Sequence, residues 1–131
     1  MKLLLDTHIW LNSVLDPRRI GRKYKAAIND PRHEVWLSPV SLVELVLLVR
    51  SGRIRTIPDP GQWALRALAA TDIIEAPMTY DIAAECDNFE LATADPFDRI
   101  IVSTARVLNM TLLTHDEKII EARVASVLTD N

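Results

Sequence analysis

This chain has one cysteine, three glycines, two phenylalanines and no uninterrupted apolar stretch of membrane length, and each scarcity excludes something. Cys86 stands alone, so no internal disulfide can form, which suits a reducing compartment and makes the thiol by default a small core group. Three glycines in 131 residues leave few positions for the tight turns that an all-β fold demands. The apolar run Val35–Val49 is too short to span a bilayer, and Ser, Pro and Glu interrupt it. Met1–Leu5 opens like a signal peptide, but Asp6 and His8 end the apolar segment far too early. A soluble, cytoplasmic protein without membrane association is expected.

What is present is an ordinary globular mixture, 49% apolar and 25% charged, enough for one domain over residues 1–131 with a real core. No repeat, low-complexity tract or linker divides it. The net charge of −3 hides a segregation. From Pro17 to Arg55 there are nine basic residues (Arg18, Arg19, Arg22, Lys23, Lys25, Arg32, Arg50, Arg53, Arg55) against three acids, and from Thr56 onward thirteen acids against five bases. A basic rim beside an acidic pocket suits a polyanion handled with metal ions, although solvated helix faces would look the same in sequence.

Short apolar strands alternate with helices. Strands are expected at Lys2–Leu5, Glu34–Leu37, Asp72–Glu75, Thr111–Thr114 and Ser126–Leu128. Helices are expected at Thr7–Leu15, Arg19–Asn29, from Ser38-Pro39 to Gly52, at Gly61–Ala70, Thr79–Leu91, Pro96–Asn109 and Asp116–Val124. The alternation argues for a parallel sheet covered on both faces, with sites just beyond the carboxyl ends of its strands.

Four acids fall at that edge. Asp6 ends "KLLLD", Asp116 follows "TLLT" by two residues, Asp98 lies in the first turn of a helix, and Glu44 lies in the first turns of the helix after "EVWL". Asp6, Asp116, and Asp95 or Asp98 each have an ordinary explanation as helix N-caps. Glu44 does not, because "SLVELVLLV" sets it on an apolar helical face, where a lone carboxylate costs several kcal/mol unless a partner or cation compensates it. A buried ion pair, with Arg99 for instance, is one compensation. A shared divalent cation is another, and it would also relieve four like charges gathered in one pocket. Hard oxygen donors without Cys or His suit Mg2+ or Mn2+, which could activate a water against a phosphodiester.

"LLLDTHIWL", "SPVSLVELVLLV" and "DPFDRIIVSTARVLNMTLLTHD" together resemble the PIN-domain ribonucleases, in particular the VapC-type toxins of toxin–antitoxin modules, across essentially the whole chain. The "DPFDR" segment followed by "LLTHD" carries most of the specificity. The resemblance implies a three-layer α/β/α fold with a short central parallel sheet and an Mg2+- or Mn2+-dependent endoribonuclease site. It places the four acids on Asp6, Glu44, Asp98 and Asp116, with Asp6 and Asp98 as the usual metal ligands and Thr114 hydrogen-bonded within the acidic group. It further implies a VapB-type antitoxin whose tail enters the site, and a homodimer or toxin–antitoxin hetero-oligomer. The apolar helix Leu42–Val49, with Trp10, offers surfaces for those contacts; Trp36 and Trp63 read as core.

Smaller expectations attach to neighbours. Arg99 is placed to clamp a phosphate or to pair with Asp95, and Asp95 to cap its helix. Thr7 and His8 adjoin Asp6, and His115 adjoins Asp116; either histidine could touch RNA, but no spacing marks them as metal ligands. Phosphatases of the haloacid-dehalogenase type need an Asp where His8 stands. A receiver domain needs a paired acid near Asp6 and a late Lys that this chain lacks, and a dinucleotide-binding fold needs a glycine-rich first turn. The remaining rival is a non-catalytic acidic α/β module whose carboxylates serve only caps and partner contacts.

Overall fold

The structure, a computed structural model, describes residues 1–130. Five strands, β1 (Lys2–Leu5), β2 (Glu34–Leu37), β3 (Ile74–Glu75), β4 (Thr111–Leu113) and β5 (Val127–Leu128), form one sheet in the order β3-β2-β1-β4-β5. Every pairing is parallel, with Leu3 opposite Val35 on one side and opposite Thr111 on the other. Seven helices among the described residues connect them: α1 (Thr7–Leu15), α2 (Arg22–Asn29), α3 (Pro39–Arg50), α4 (Pro60–Ala69), α5 (Tyr80–Glu85), α6 (Pro96–Val107) and α7 (Glu117–Ala122).

A strand buried on both faces reads as a continuous apolar run, and β1 does so. Leu3 and Leu5 point into one core with Trp10, Tyr24, Leu45 and Ala64, contributed by α1 to α4. Leu4 points into the other with Ile101, Val102, Leu112 and Ile119, on the side of α6 and α7. These are the three expected layers. Because β1 is central and the chain winds outward from it in both directions, the sheet reverses its order there, and the crevice beyond the ends of β1 and β4 is where such sheets bind ligands.

Some boundaries differ from the sequence expectation, for identifiable reasons. The helix expected from Arg19 is split into a 3-10 turn, Pro17–Arg19, and α2, because Gly21 adopts an extended conformation (φ −70°, ψ 169°) with its N–H bonded to Asp130. Residues 79–91 are helical only to Glu85, after which Phe89 and Leu91 turn inward to the core. Gly52, at φ +81°, stops α3 as expected, in a left-handed conformation that glycine adopts without strain. Trp10 lies fully inside the core and cannot serve as a docking surface, whereas Val43 and Leu47 on α3 are about half exposed (51% and 49%). Trp36 and Trp63 pack against the two cores as partly buried residues.

Candidate active site

The end of β1 delivers Asp6 into the crevice almost fully buried, 2% exposed. Its backbone N–H continues the sheet by donating to the Leu113 carbonyl (3.0 Å), which fixes it against the end of β4. Its carboxylate is held from two sides: the Thr7 N–H donates to Oδ1 (2.7 Å) and the Thr114 hydroxyl to Oδ2 (2.7 Å). The same Thr114 oxygen accepts the Asp116 N–H at 3.0 Å, so one hydroxyl ties the β1 acid to the β4 acid. Asp116 caps α7 by accepting from Lys118 N–H (2.9 Å), and Asp95 caps α6 by accepting from Phe97 N–H (2.9 Å). Capping therefore accounts for part of what Asp6, Asp95 and Asp116 do.

Capping accounts for nothing at Glu44 and Asp98. Helices α3 and α6 pack on one another, and these two acids enter the crevice from them. Glu44 Oε1 is buried with no hydrogen-bond partner. Burial, and behind it the charges of Asp6 and Asp95, pushes its carboxyl above the usual range, with the Thr7 hydroxyl opposing the shift. Thr7 itself pairs with the buried Ser41 hydroxyl (2.8 Å), one turn before Glu44. The Asp98 carboxyl is pushed up to about 7, by burial first and then by the negative charges of Asp6, Asp95, Asp116 and Glu44. Five carboxylates thus act on one another across this crevice, and none forms an ion pair with Lys or Arg there among the described residues.

Arg99 does not supply the missing cation. Its Nη1 donates to the carbonyls of Cys86 (2.6 Å) and Phe89 (3.1 Å), and its guanidinium lies over the Phe89 ring, 5.1 Å from the centroid. The expected pairing with Asp95, and the alternative one with Glu44, are both absent among the described residues. The physical reason is the early end of α5, which leaves carbonyls that need a donor. Arg99→Ala is therefore expected to lower stability by about 2–3 kcal/mol, read by urea unfolding. Unchanged stability of that variant would remove the anchoring role and leave Arg99 free for another.

The histidines line the rim. His8 Nδ1 lies 3.5 Å from Asp6 Oδ2, and His8 Nε2 accepts the His115 N–H at 3.0 Å. His115 is exposed, with its Nε2 2.8 Å from Asp130 Oδ2. Two residues of this region escaped sequence reasoning. Tyr24, fully buried in α2, accepts the Thr114 N–H at 3.1 Å, and burial pushes its phenol up to about 12. Asp130 accepts from the N–H groups of Gly21 (2.6 Å) and Tyr24 (3.1 Å). No local pattern marks either one.

An all-oxygen donor set, a partnerless buried carboxylate oxygen and an acid that burial and its neighbours push up to about 7 fit a hard divalent cation. No three acidic or histidine side chains among the described residues already enclose an ion-sized space. An ion held here would therefore complete its shell with water, as Mg2+ commonly does.

Residues 3–125 match the PIN domain family, and the chain belongs to that family. Comparison with curated protein sequences finds no match. Among solved structures, the chain is similar to VapBC2 from Rickettsia felis bound to a DNA fragment from its promoter, with a TM-score of 0.69 and 16% identity over 98% of both chains. DNA-bound VapBC from Salmonella typhimurium gives 0.67 at 15% identity, covering 98% of this chain and 97% of that one. VapBC-1 from nontypeable Haemophilus influenzae gives 0.65 at 17%, again with 98% and 97% coverage. At these identities the likeness is one of fold.

Proposed function

We propose that this chain is a divalent-metal-dependent endoribonuclease, the VapC-type toxin of a type II toxin–antitoxin module, inhibited by a VapB-type antitoxin. The observation that carries the reading is the buried, partnerless Oε1 of Glu44, in a crevice shared with Asp6, Asp95, Asp98 and Asp116 where no Lys or Arg among the described residues pairs with any of them. A fold gains nothing from such a crowd unless cations enter it. Asp6 and Asp98 would hold Mg2+ or Mn2+, with Asp116 and Glu44 reaching the ion directly or through water. When bound, such an ion supplies counter-charge for the phosphodiester and lowers the pKa of a water.

The remaining work falls to this chain's own side chains. The Thr7 N–H and the Thr114 hydroxyl fix both oxygens of Asp6, and each oxygen keeps lone-pair capacity for a cation. With its carboxyl pushed up to about 7, Asp98 exchanges its proton near neutral pH, and a bound cation would favour its ionised form. Burial of Asp6, Thr7, Ser41 and Thr114 keeps bulk water from competing for these contacts. Part-exposed His8 stands at the rim, where a substrate backbone would pass, whereas Thr7, expected there from sequence, is buried against Ser41 and serves the acids instead.

Exposed Arg18, Arg19, Arg22 and Lys23 flank the His115 side of the crevice, which the bonds from Gly21 to Asp130 and from Asp130 to His115 join to them. That flank suits a single-stranded RNA backbone. Replacing Arg18, Arg19 and Arg22 by Gln is expected to weaken RNA binding in EDTA and to flatten the plot of log K against log salt by about 2. An unchanged slope would remove this flank from the substrate path.

The direct test is incubation of the purified protein, freed of any co-purified partner, with a mixed cellular RNA pool in Mg2+, Mn2+ or EDTA. Metal-dependent cleavage that EDTA abolishes is the expected result. The caps formed by Asp6, Asp95 and Asp116 are the one observation favouring a non-catalytic binding module. That module predicts no cleavage in any metal and no binding of Mn2+.

A further inference from the structure

The Thr114–Asp116 segment carries a hydroxyl and a carboxylate of the candidate site, and it is held from the opposite side by α2. The Tyr24 hydroxyl accepts the Thr114 N–H (3.1 Å), and its own proton is directed to the carbonyls of Thr114 (2.9 Å) and Leu128. Both backbone groups of Thr114 thus end on one phenolic oxygen. The next residue, His115, lays its ring on the Tyr24 ring, centroids 5.3 Å apart and planes 5° from parallel. Asp130 closes the unit by accepting the N–H groups of Gly21 (2.6 Å) and Tyr24 (3.1 Å) while standing 2.8 Å from His115 Nε2. Gly21 is required for this closure, because a Cβ there would stand 2.3 Å from the Asp130 carboxylate.

On the crevice side of the same segment, the Thr114 hydroxyl donates to Asp6 (2.7 Å) and accepts from the Asp116 N–H (3.0 Å). A displacement of the Thr114 backbone is therefore a displacement of both acids relative to each other. We propose that Tyr24 is a positioning residue of this site: by holding both backbone groups of Thr114 it sets the placement of Asp6 against Asp116, with Asp130 and His115 keeping its ring seated. The inference rests on the metal-nuclease reading. It extends that reading to a residue touching neither metal nor substrate, since outer partners of metal ligands set ligand placement to within fractions of an ångström.

The test measures Mn2+ affinity by titration and RNA cleavage for the wild type, Tyr24→Phe, Thr114→Val and the double variant, each at a temperature where circular dichroism shows it folded. Tyr24→Phe keeps the ring and its stack and loses only the hydroxyl. It is expected to weaken Mn2+ binding about tenfold and to lower kcat about tenfold, with KM within about twofold of the wild type. Because Tyr24 acts through Thr114, the double variant should bind Mn2+ no more weakly than Thr114→Val alone. A lowered melting temperature with wild-type Mn2+ affinity and kcat would reduce Tyr24 to a structural residue and overturn the proposal, as would fully additive losses in the double variant. If Tyr24→Phe does not fold, Asp130→Asn, which loosens the seat alone, should weaken Mn2+ binding about threefold, and wild-type affinity there overturns the proposal equally. Wild-type protein that binds Mn2+ without cutting RNA removes the nuclease reading and leaves the Mn2+ comparison to decide on Tyr24. Wild-type protein that does neither removes both.

Discussion

Asp98→Asn is expected to abolish RNA cleavage, by about a thousandfold or more, and at the same time to make the metal-free protein more stable above pH 7. The two effects have one origin. Asp98 gains nothing from its surroundings without a cation: burial and four neighbouring carboxylates push its carboxyl from 3.8 to about 7. Between those two values the folded chain binds more protons than the unfolded chain, so the slope of unfolding free energy with pH is negative. The stability associated with protonated Asp98 is full below about 4 and is lost as pH rises through about 7. Asparagine keeps the shape and carries no charge, so it removes that loss. Discounted for the partial exposure of Asp98, the gain is about 1–2 kcal/mol at pH 8 and close to nothing at pH 4. Urea unfolding at both pH values, in EDTA, reads it. A variant that still cuts RNA, or that is less stable than the wild type at pH 8, would sink the cation-site reading of this acid.

Such an acid illustrates how unevenly the sequence reveals this molecule. Elements whose cause is local are legible: β1 as an unbroken apolar run, α3 opened by Ser38-Pro39 and closed by Gly52, α6 opened by Asp95-Pro96. The site edge is legible too, because a parallel sheet puts the residues that follow its strands on one edge, while the adjacency of β1 and β4 there comes from the strand order. Glu44 stands out because a carboxylate contradicts the apolar pattern around it, and its buried, partnerless Oε1 shows that the contradiction is physical.

What is not legible depends on contacts distant in sequence. Gly21 interrupts the second helix because Asp130, 109 residues away, takes its N–H. Arg99 turns from the acids because α5 ends early and exposes the Cys86 and Phe89 carbonyls, a fact about packing around Phe89. Tyr24 looks like any core aromatic until the fold brings Thr114 to its hydroxyl, 90 residues further on. Local propensity and periodicity carry no information about such pairs, and positions that act through them are invisible until the topology is known.

Adding Mn2+ is expected to raise the melting temperature of the wild-type protein strongly and to reverse part of the pH trend. A ligand that binds only the folded state stabilises it by about 2.7 kcal/mol at a hundred times its dissociation constant, which for a domain of this size is about 10 °C. EDTA should return the melting temperature to its starting value. The proton on Asp98 competes with the cation, so affinity should weaken as pH falls below about 7, by at most about tenfold per pH unit for one displaced proton. Asp98→Asn should lose most of the Mn2+ response, since the acid whose ionisation the cation drives is gone. The same logic separates the two functional readings without any RNA. If the carboxylates serve only as caps, Asp6 and Asp116 already have their partners in the Thr7 and Lys118 N–H groups, and Mn2+ has nothing to compensate. A melting temperature unmoved by millimolar Mn2+ and Mg2+ at pH 8, where Asp98 is ionised and the crowding of charge is greatest, would therefore reject the metal site itself.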